Sequence, residues 1–199
     1  MAHLGFKSIR LMIVLAFLMF FGYGLKAQVN QPDSYIQIKA LENGNYLSHR
    51  AWLINKNGDT IPYTKFKGKW LLIDYWSSGC VPCIKEFPFL NSNYNKLHPN
   101  LVLISAYIGK NKKRWYRDIK KFDLQFPHYY TGTTYKNPFL TLNLRKLGDK
   151  SNDSKLLNVT PQYVLISPTG LIVDKNMPKP SSANFKKVLH KYIANTKTD

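Results

Sequence analysis

Residues 70–83, WLLIDYWSSGCVPC, bring both cysteines of this 199-residue chain to one place, behind an apolar run and ahead of a helix-forming stretch. Trp70–Trp76 is short, rich in β-formers and bounded by Gly68 and Gly79, the pattern of a strand buried on both faces. VPCIKEFPFLNSNYNKLH, starting at Val81, reads as a helix that tolerates Pro82 in its first turn and is expected to kink at Pro88. A second apolar strand, Leu101–Ile108, and a second helix carrying Trp115, Ile119 and Phe122 on one face follow it. Strand, helix, strand, helix in this order implies a partly parallel sheet covered by helices.

Nearer the C-terminus, QYVLIS and LIVD flank Pro168-Thr169-Gly170 and predict an antiparallel hairpin. SSANFKKVLHKYIAN then reads as a helix behind a serine cap, with Phe185, Val188, Leu189, Tyr192 and Ile193 on one face. The fold class is therefore α/β, βαβα followed by ββα. Upstream, residues 35–66 alternate β-like runs (YIQIKAL, RAWLIN, TIPYTKF) with turn signals, among them Asn57-Gly58-Asp59, and predict a β-rich N-terminal extension. Between residues 131 and 160, NPFLTLNLRKL is read as a helix and GDKSNDSK as an exposed loop.

Lys7 and Arg10 precede the apolar run Leu11–Leu25. This reads as a secretory signal, because a membrane span needs about 20 apolar residues. Cleavage is expected near Ala27; an uncleaved membrane anchor is the alternative, since Leu25 is larger than the small residue usual at that position. Residues 1–27 are thus taken as signal peptide or anchor, 28–49 as the extension and 50–199 as one compact domain. Beyond residue 27 there are 26 basic and 11 acidic side chains, a net charge of +15. The lysines are scattered and no nucleic-acid motif organises them, so nucleic acid is not expected as a partner. A basic, solvated surface that favours acidic partners or lipid headgroups is expected instead. Export to the periplasm or beyond lets a disulfide persist.

Cys80 stands where the strand passes into the helix, so free N–H groups and the helix dipole there stabilise a thiolate and lower its pKa. Cys83, one turn later, faces inward and can close a small disulfide with it. A redox pair is therefore favoured over the bland alternatives. A zinc site needs four ligands, and His49, His98, His128 and His190 stand apart in the sequence. A structural staple gains most from closing a long loop, not a tiny one. Two further readings stay open: a copper(I) metallochaperone holding the metal on both thiolates, and an interaction domain whose disulfide never turns over. Thr160-Pro161, ahead of the hairpin, is a place where a cis peptide bond is affordable and where the Thr160 backbone could meet an extended peptide beside Cys80.

FKGKWLLIDYWSSGCVPCIKEFP and VTPQYVLISPTGLIV together resemble the thioredoxin superfamily and, within it, the exported TlpA/ResA-like thiol-disulfide oxidoreductases common in Bacteroidetes. The resemblance implies a thioredoxin-like fold from about residue 50 onward. It assigns Cys80 as nucleophile, Cys83 as resolving thiol, Asp74 as proton acceptor for Cys83 and Pro161 as a cis-proline beside the substrate site, and it implies no cofactor. Glu86 matches a glutamate that some such proteins use to tune the thiols, with a solvated helix carboxylate as the alternative. Asp74 is expected to lie buried beneath the cysteines with a raised pKa, since a carboxylate amid WLLIDYW is costly without a role or a partner. Trp76 is read equally as a substrate platform and as core packing. Implied partners are disulfides of exported proteins and a membrane-embedded thiol electron donor. Two positions depart from the pattern: Gly79 where tryptophan is usual, and Gln162 after the proline where threonine is common.

Overall fold

The computed structural model describes residues 39–147 and 155–195. The N-terminal apolar run and most of GDKSNDSK lie outside the described residues. Among those described, no helix is long and apolar enough to cross a membrane.

Strands β1 (Trp52–Ile54) and β2 (Thr60–Pro62) form a hairpin around the Asn-Gly-Asp turn, followed by a 3₁₀ turn at Tyr63–Phe66. Next come β3 (Trp70–Trp76), α1 (Val81–Asn93), β4 (Leu101–Tyr107), α2 (Lys112–Lys121) and β5 (His128–Tyr130). A short helix α3 (Pro138–Leu142) leads into β6 (Leu144–Leu147) and β7 (Lys155–Asn158), which pair with each other. The chain ends with β8 (Gln162–Ile166), β9 (Ile172–Asp174) and α4 (Phe185–Asn195). Seven strands make one sheet in the order β2-β1-β5-β4-β3-β8-β9. β3, β4 and β5 run parallel, as the intervening helices require, and β8 and β9 form the expected antiparallel hairpin.

β3 is central and buried along its whole length. Its side chains alternate between two cores. Trp70, Leu72 and Trp76 join Phe87 and Leu90 of α1, Trp115 of α2 and Phe185 and Leu189 of α4. Leu71, Ile73 and Tyr75 pack on the other face with Tyr63, Phe66 and Phe139. The first of these faces carries the cysteines.

Three expectations need correcting. Residues 39–49 hold no strand, only an isolated bridge between Tyr46 and Leu171, so among the described residues the first strand is β1 at Trp52; most of YIQIKAL lies outside the described residues. NPFLTLNLRKL is helical only over Pro138–Leu142; Asn143 ends the helix, and the polar, basic stretch after it pairs with β7. No serine caps α4, because the helix begins at Phe185 with Asn184 ahead of it, and the Ser181 hydroxyl donates instead to Glu86 of α1.

Candidate active site

Cys80 and Cys83 meet as a disulfide at the opening of α1. Ser77-Ser78-Gly79 joins them to β3, and Gly79 turns the chain with φ of +82°, a left-handed conformation that strains any residue with a side chain. The Cys80 amide donates to the Ser77 carbonyl at 3.1 Å and closes that turn. Cys80 is the N-cap of α1, and its Sγ accepts from the Cys83 amide at 3.3 Å. A sulfur so placed faces the free N–H groups and the positive end of the helix dipole, the setting that lowers a thiol's pKa once the disulfide is opened. Cys80 is 9 % exposed and Cys83 1 %, so the first cysteine is the outer one.

Asp74 has the same strand parity as Leu72 and Trp76, so it points into the core that contains Cys83 and Phe87. It is buried, and neither oxygen has a hydrogen-bond partner. Burial pushes its carboxyl up from 3.8 to about 7; the charge of Glu86 adds to the rise, and the hydroxyl of Tyr163, its register partner on β8, opposes it from beyond ordinary hydrogen-bond geometry. A carboxyl with that pKa exchanges its proton near neutrality, the property a general base or acid needs.

Glu86 lies one turn after Cys83, and it too is buried. The Ser181 amide and hydroxyl donate to its two oxygens, each at 2.6 Å, and Lys179 Nζ stands 3.8 Å away. The solvated alternative for this residue is thereby removed, because the loop ahead of α4 folds over it.

Four hydroxyls fix the loops around the disulfide. Ser77 Oγ and Thr160 Oγ1 are 3.0 Å apart and bonded, which ties the segment before Cys80 to the turn before β8. That turn holds the cis peptide bond expected at Thr160-Pro161. Pro161 is exposed and Thr160 half-buried. On the other side Ser78 donates to the buried Asp118 carboxylate of α2 and accepts from the Tyr107 hydroxyl at 2.7 Å. The Ser-Ser dipeptide beside Cys80 was a visible signal of this clamp; Tyr107 and Asp118 were not foreseen, since nothing local marks them.

Trp76 is corrected. It is 0 % exposed and packs edge-to-face against Phe87 and Tyr107, with ring centroids 5.3 and 4.9 Å away. A side chain with no accessible surface offers no platform to a substrate, so Trp76 is floor and not wall.

The chain matches no protein-family model. It is 29 % identical over 76 residues to the thiol-disulfide oxidoreductase ResA of Bacillus subtilis, covering 38 % of this chain and 42 % of that protein. It is 34 % identical over 71 residues to the ResA of Bacillus thuringiensis, covering 35 % and 41 %. The chain thus spans about two fifths of the length of the curated relatives it matches. Among solved structures, the thioredoxin domain of a thiol-disulfide oxidoreductase from Bacteroides vulgatus superimposes with a TM-score of 0.58 at 20 % identity, over 77 % of this chain and 99 % of that one. A thiol:disulfide interchange protein from Bacteroides sp. gives 0.59 at 20 % identity, over 79 % and 94 %. At that identity these neighbours establish the fold, which is thioredoxin-like.

Proposed function

We propose that this chain, a TlpA/ResA-like protein of the thioredoxin superfamily, is a thiol-disulfide oxidoreductase acting on disulfides of exported proteins through Cys80 and Cys83. The observation that carries the reading is the disulfide at the N-terminus of α1 with an unpartnered carboxyl, Asp74, in the core beneath it.

In the reducing direction the cycle starts from the dithiol. The Cys80 thiolate attacks one sulfur of the substrate disulfide, forming a Cys80–substrate mixed disulfide and expelling the other substrate sulfur as a thiolate that takes up a proton. Asp74, ionised, accepts the Cys83 thiol proton; the Cys83 thiolate then attacks Cys80 Sγ and expels the second substrate sulfur as a thiolate, which takes up a proton as Asp74 gives its own back. Two electrons and two protons pass to the substrate, and the Cys80–Cys83 disulfide is left behind. A thiol electron donor, proposed to be embedded in the membrane, returns the pair to the dithiol. Glu86 adds negative charge beside Asp74 and so helps keep it protonated until the pH nears neutrality. The exposed Pro161 and the half-buried Thr160 offer the turn against which an extended substrate segment lies.

The apolar run near residues 11–25 supports export, with the domain in an oxidising compartment such as the periplasm. The excess of lysine supports association with acidic partners or with a membrane surface through charge, and no feature supports nucleic acid.

Mixed-disulfide trapping tests the assignment. Cys83→Ser is expected to accumulate covalent adducts with exported proteins through Cys80, while Cys80→Ser accumulates almost none. Equal trapping by both variants would reverse the roles. No trapping by either, together with failure of the wild type to catalyse insulin reduction by dithiothreitol, would remove the activity; tight copper(I) binding would then support a metallochaperone.

A further inference from the structure

The segment between β5 and β8 contributes a fully buried side chain that the cycle above does not use. Asn143 is the C-cap of α3 and is 0 % exposed. Its amide group is committed to the two flanks of a single dipeptide, Thr160-Pro161. Nδ2 donates to the Val159 carbonyl at 2.8 Å and to Gln162 Oε1 at 2.6 Å, and Oδ1 accepts from the Val159 amide at 3.1 Å. Gln162 is buried in turn, and its Nε2 donates to the Lys175 carbonyl just after β9, at 3.0 Å. One side chain therefore holds the residue before the turn and the residue after it, and Gln162 carries the restraint into the sheet edge.

Only asparagine supplies this set at this size. Both amide hydrogens and one lone pair are used; aspartate would lack the two donors and leucine all three groups. The restraint leaves Pro161 exposed and Thr160 half-buried, with the Thr160 hydroxyl held from the Cys80 side by Ser77 at 3.0 Å. The Thr160-Pro161 turn is thus held from Val159, from Gln162 and, through the Thr160 hydroxyl, from Ser77. A backbone held in advance loses less freedom when an extended chain pairs with it, which appears as tighter binding rather than faster chemistry.

We infer that Asn143 is a positioning residue for substrate binding: through Val159 and Gln162 it sets the Thr160-Pro161 turn so that a disulfide-bearing polypeptide in extended form is selected over small disulfides. Gln162, which departs from the usual threonine, is its working partner. The inference rests on the oxidoreductase reading, and its test separates the two.

The reduced full chain is assayed against two oxidants: an extended peptide carrying an intrachain disulfide, and hydroxyethyl disulfide, which has no backbone to pair with Thr160. Asn143→Ala is expected to raise KM for the peptide about tenfold with kcat changed less than about twofold, the scale of losing a small set of hydrogen bonds. The rate with hydroxyethyl disulfide should stay within about twofold, so the selectivity ratio itself falls about tenfold. Gln162→Met, which keeps the Asn143–Val159 bonds, should give the same split at about threefold, and it carries the test where Asn143→Ala proves too unstable to purify. An equal loss on both oxidants, or an unchanged peptide KM, would overturn the inference and leave Asn143 a structural residue. A wild type that reduces neither oxidant overturns the oxidoreductase reading itself.

Discussion

Polar groups beneath the Cys80–Cys83 disulfide and polar groups around it are treated in opposite ways. Beneath it, the Asp74 oxygens and the Trp76 indole nitrogen are buried without hydrogen-bond partners. Around it, Glu86 holds Ser181, Ser77 holds Thr160, and Ser78 is clamped between Asp118 and Tyr107. Asp74 and Glu86 are the same kind of group at nearly the same depth, 1 % and 3 % exposed, yet only Glu86 is satisfied. A satisfied buried carboxylate fixes geometry. An unsatisfied one is held in a state it readily leaves by taking up a proton, the property that the proton transfer proposed between Asp74 and Cys83 requires.

The largest effect is expected where the comparison is sharpest. The raised folded pKa of Asp74 means that wild-type stability is full below the unfolded value near 3.8 and is lost as pH rises through about 7. Asp74→Asn removes that loss. Relative to wild type it should gain stability progressively across this window, by an amount on the order of 4 kcal/mol above pH 7, from denaturant midpoints at a series of pH values. The same variant should slow resolution of the mixed disulfide about tenfold or more at neutral pH while leaving the initial attack by Cys80 little changed, and the wild-type rise in resolution rate through about pH 7 should disappear. A variant that gains no stability and resolves at the normal rate would place Asp74 with the structural groups.

Glu86→Gln probes the opposite case. The amide keeps one acceptor for Ser181 where the carboxylate offers two, so the variant should lose about 2 kcal/mol, measured at one pH in the same denaturant series. A gain in stability would mean that Glu86 resembles Asp74 after all. Ser77→Ala removes one neutral, part-buried bond to Thr160 and should cost below about 1 kcal/mol. Its effect should fall on peptide KM in the same sense as that of Asn143→Ala but more weakly, because the backbone bonds at Val159 remain.

The candidate site is legible in the sequence because its signals are local. A strand, a left-handed glycine and a cysteine at a helix N-terminus follow one another within fourteen residues, and the period-two alternation of β3 places Asp74 on the cysteine side without reference to the rest of the chain. Trp76 was harder to read because parity gives its face but not its exposure; α1 and Tyr107 cover it completely. The segment after Pro138 departs from the expected helix for a related reason: LNLRKL has no marked preference, and pairing with β7 decides it.

Sequence alone determined the strand–helix junction that carries the cysteines, the place of the proline turn ahead of β8, and the basic charge of the chain. Each depends on neighbours along the chain or on total composition. Tertiary structure decided which buried polar groups are satisfied. Glu86 finds Ser181 ninety-five residues away, Ser78 finds Asp118 forty away, and Asn143 reaches both sides of a turn sixteen to nineteen residues on. A hydrogen bond needs donor and acceptor within about 3 Å and aligned, a condition that sequence spacing does not encode and that only the packing of α1, α2 and α3 against one sheet supplies.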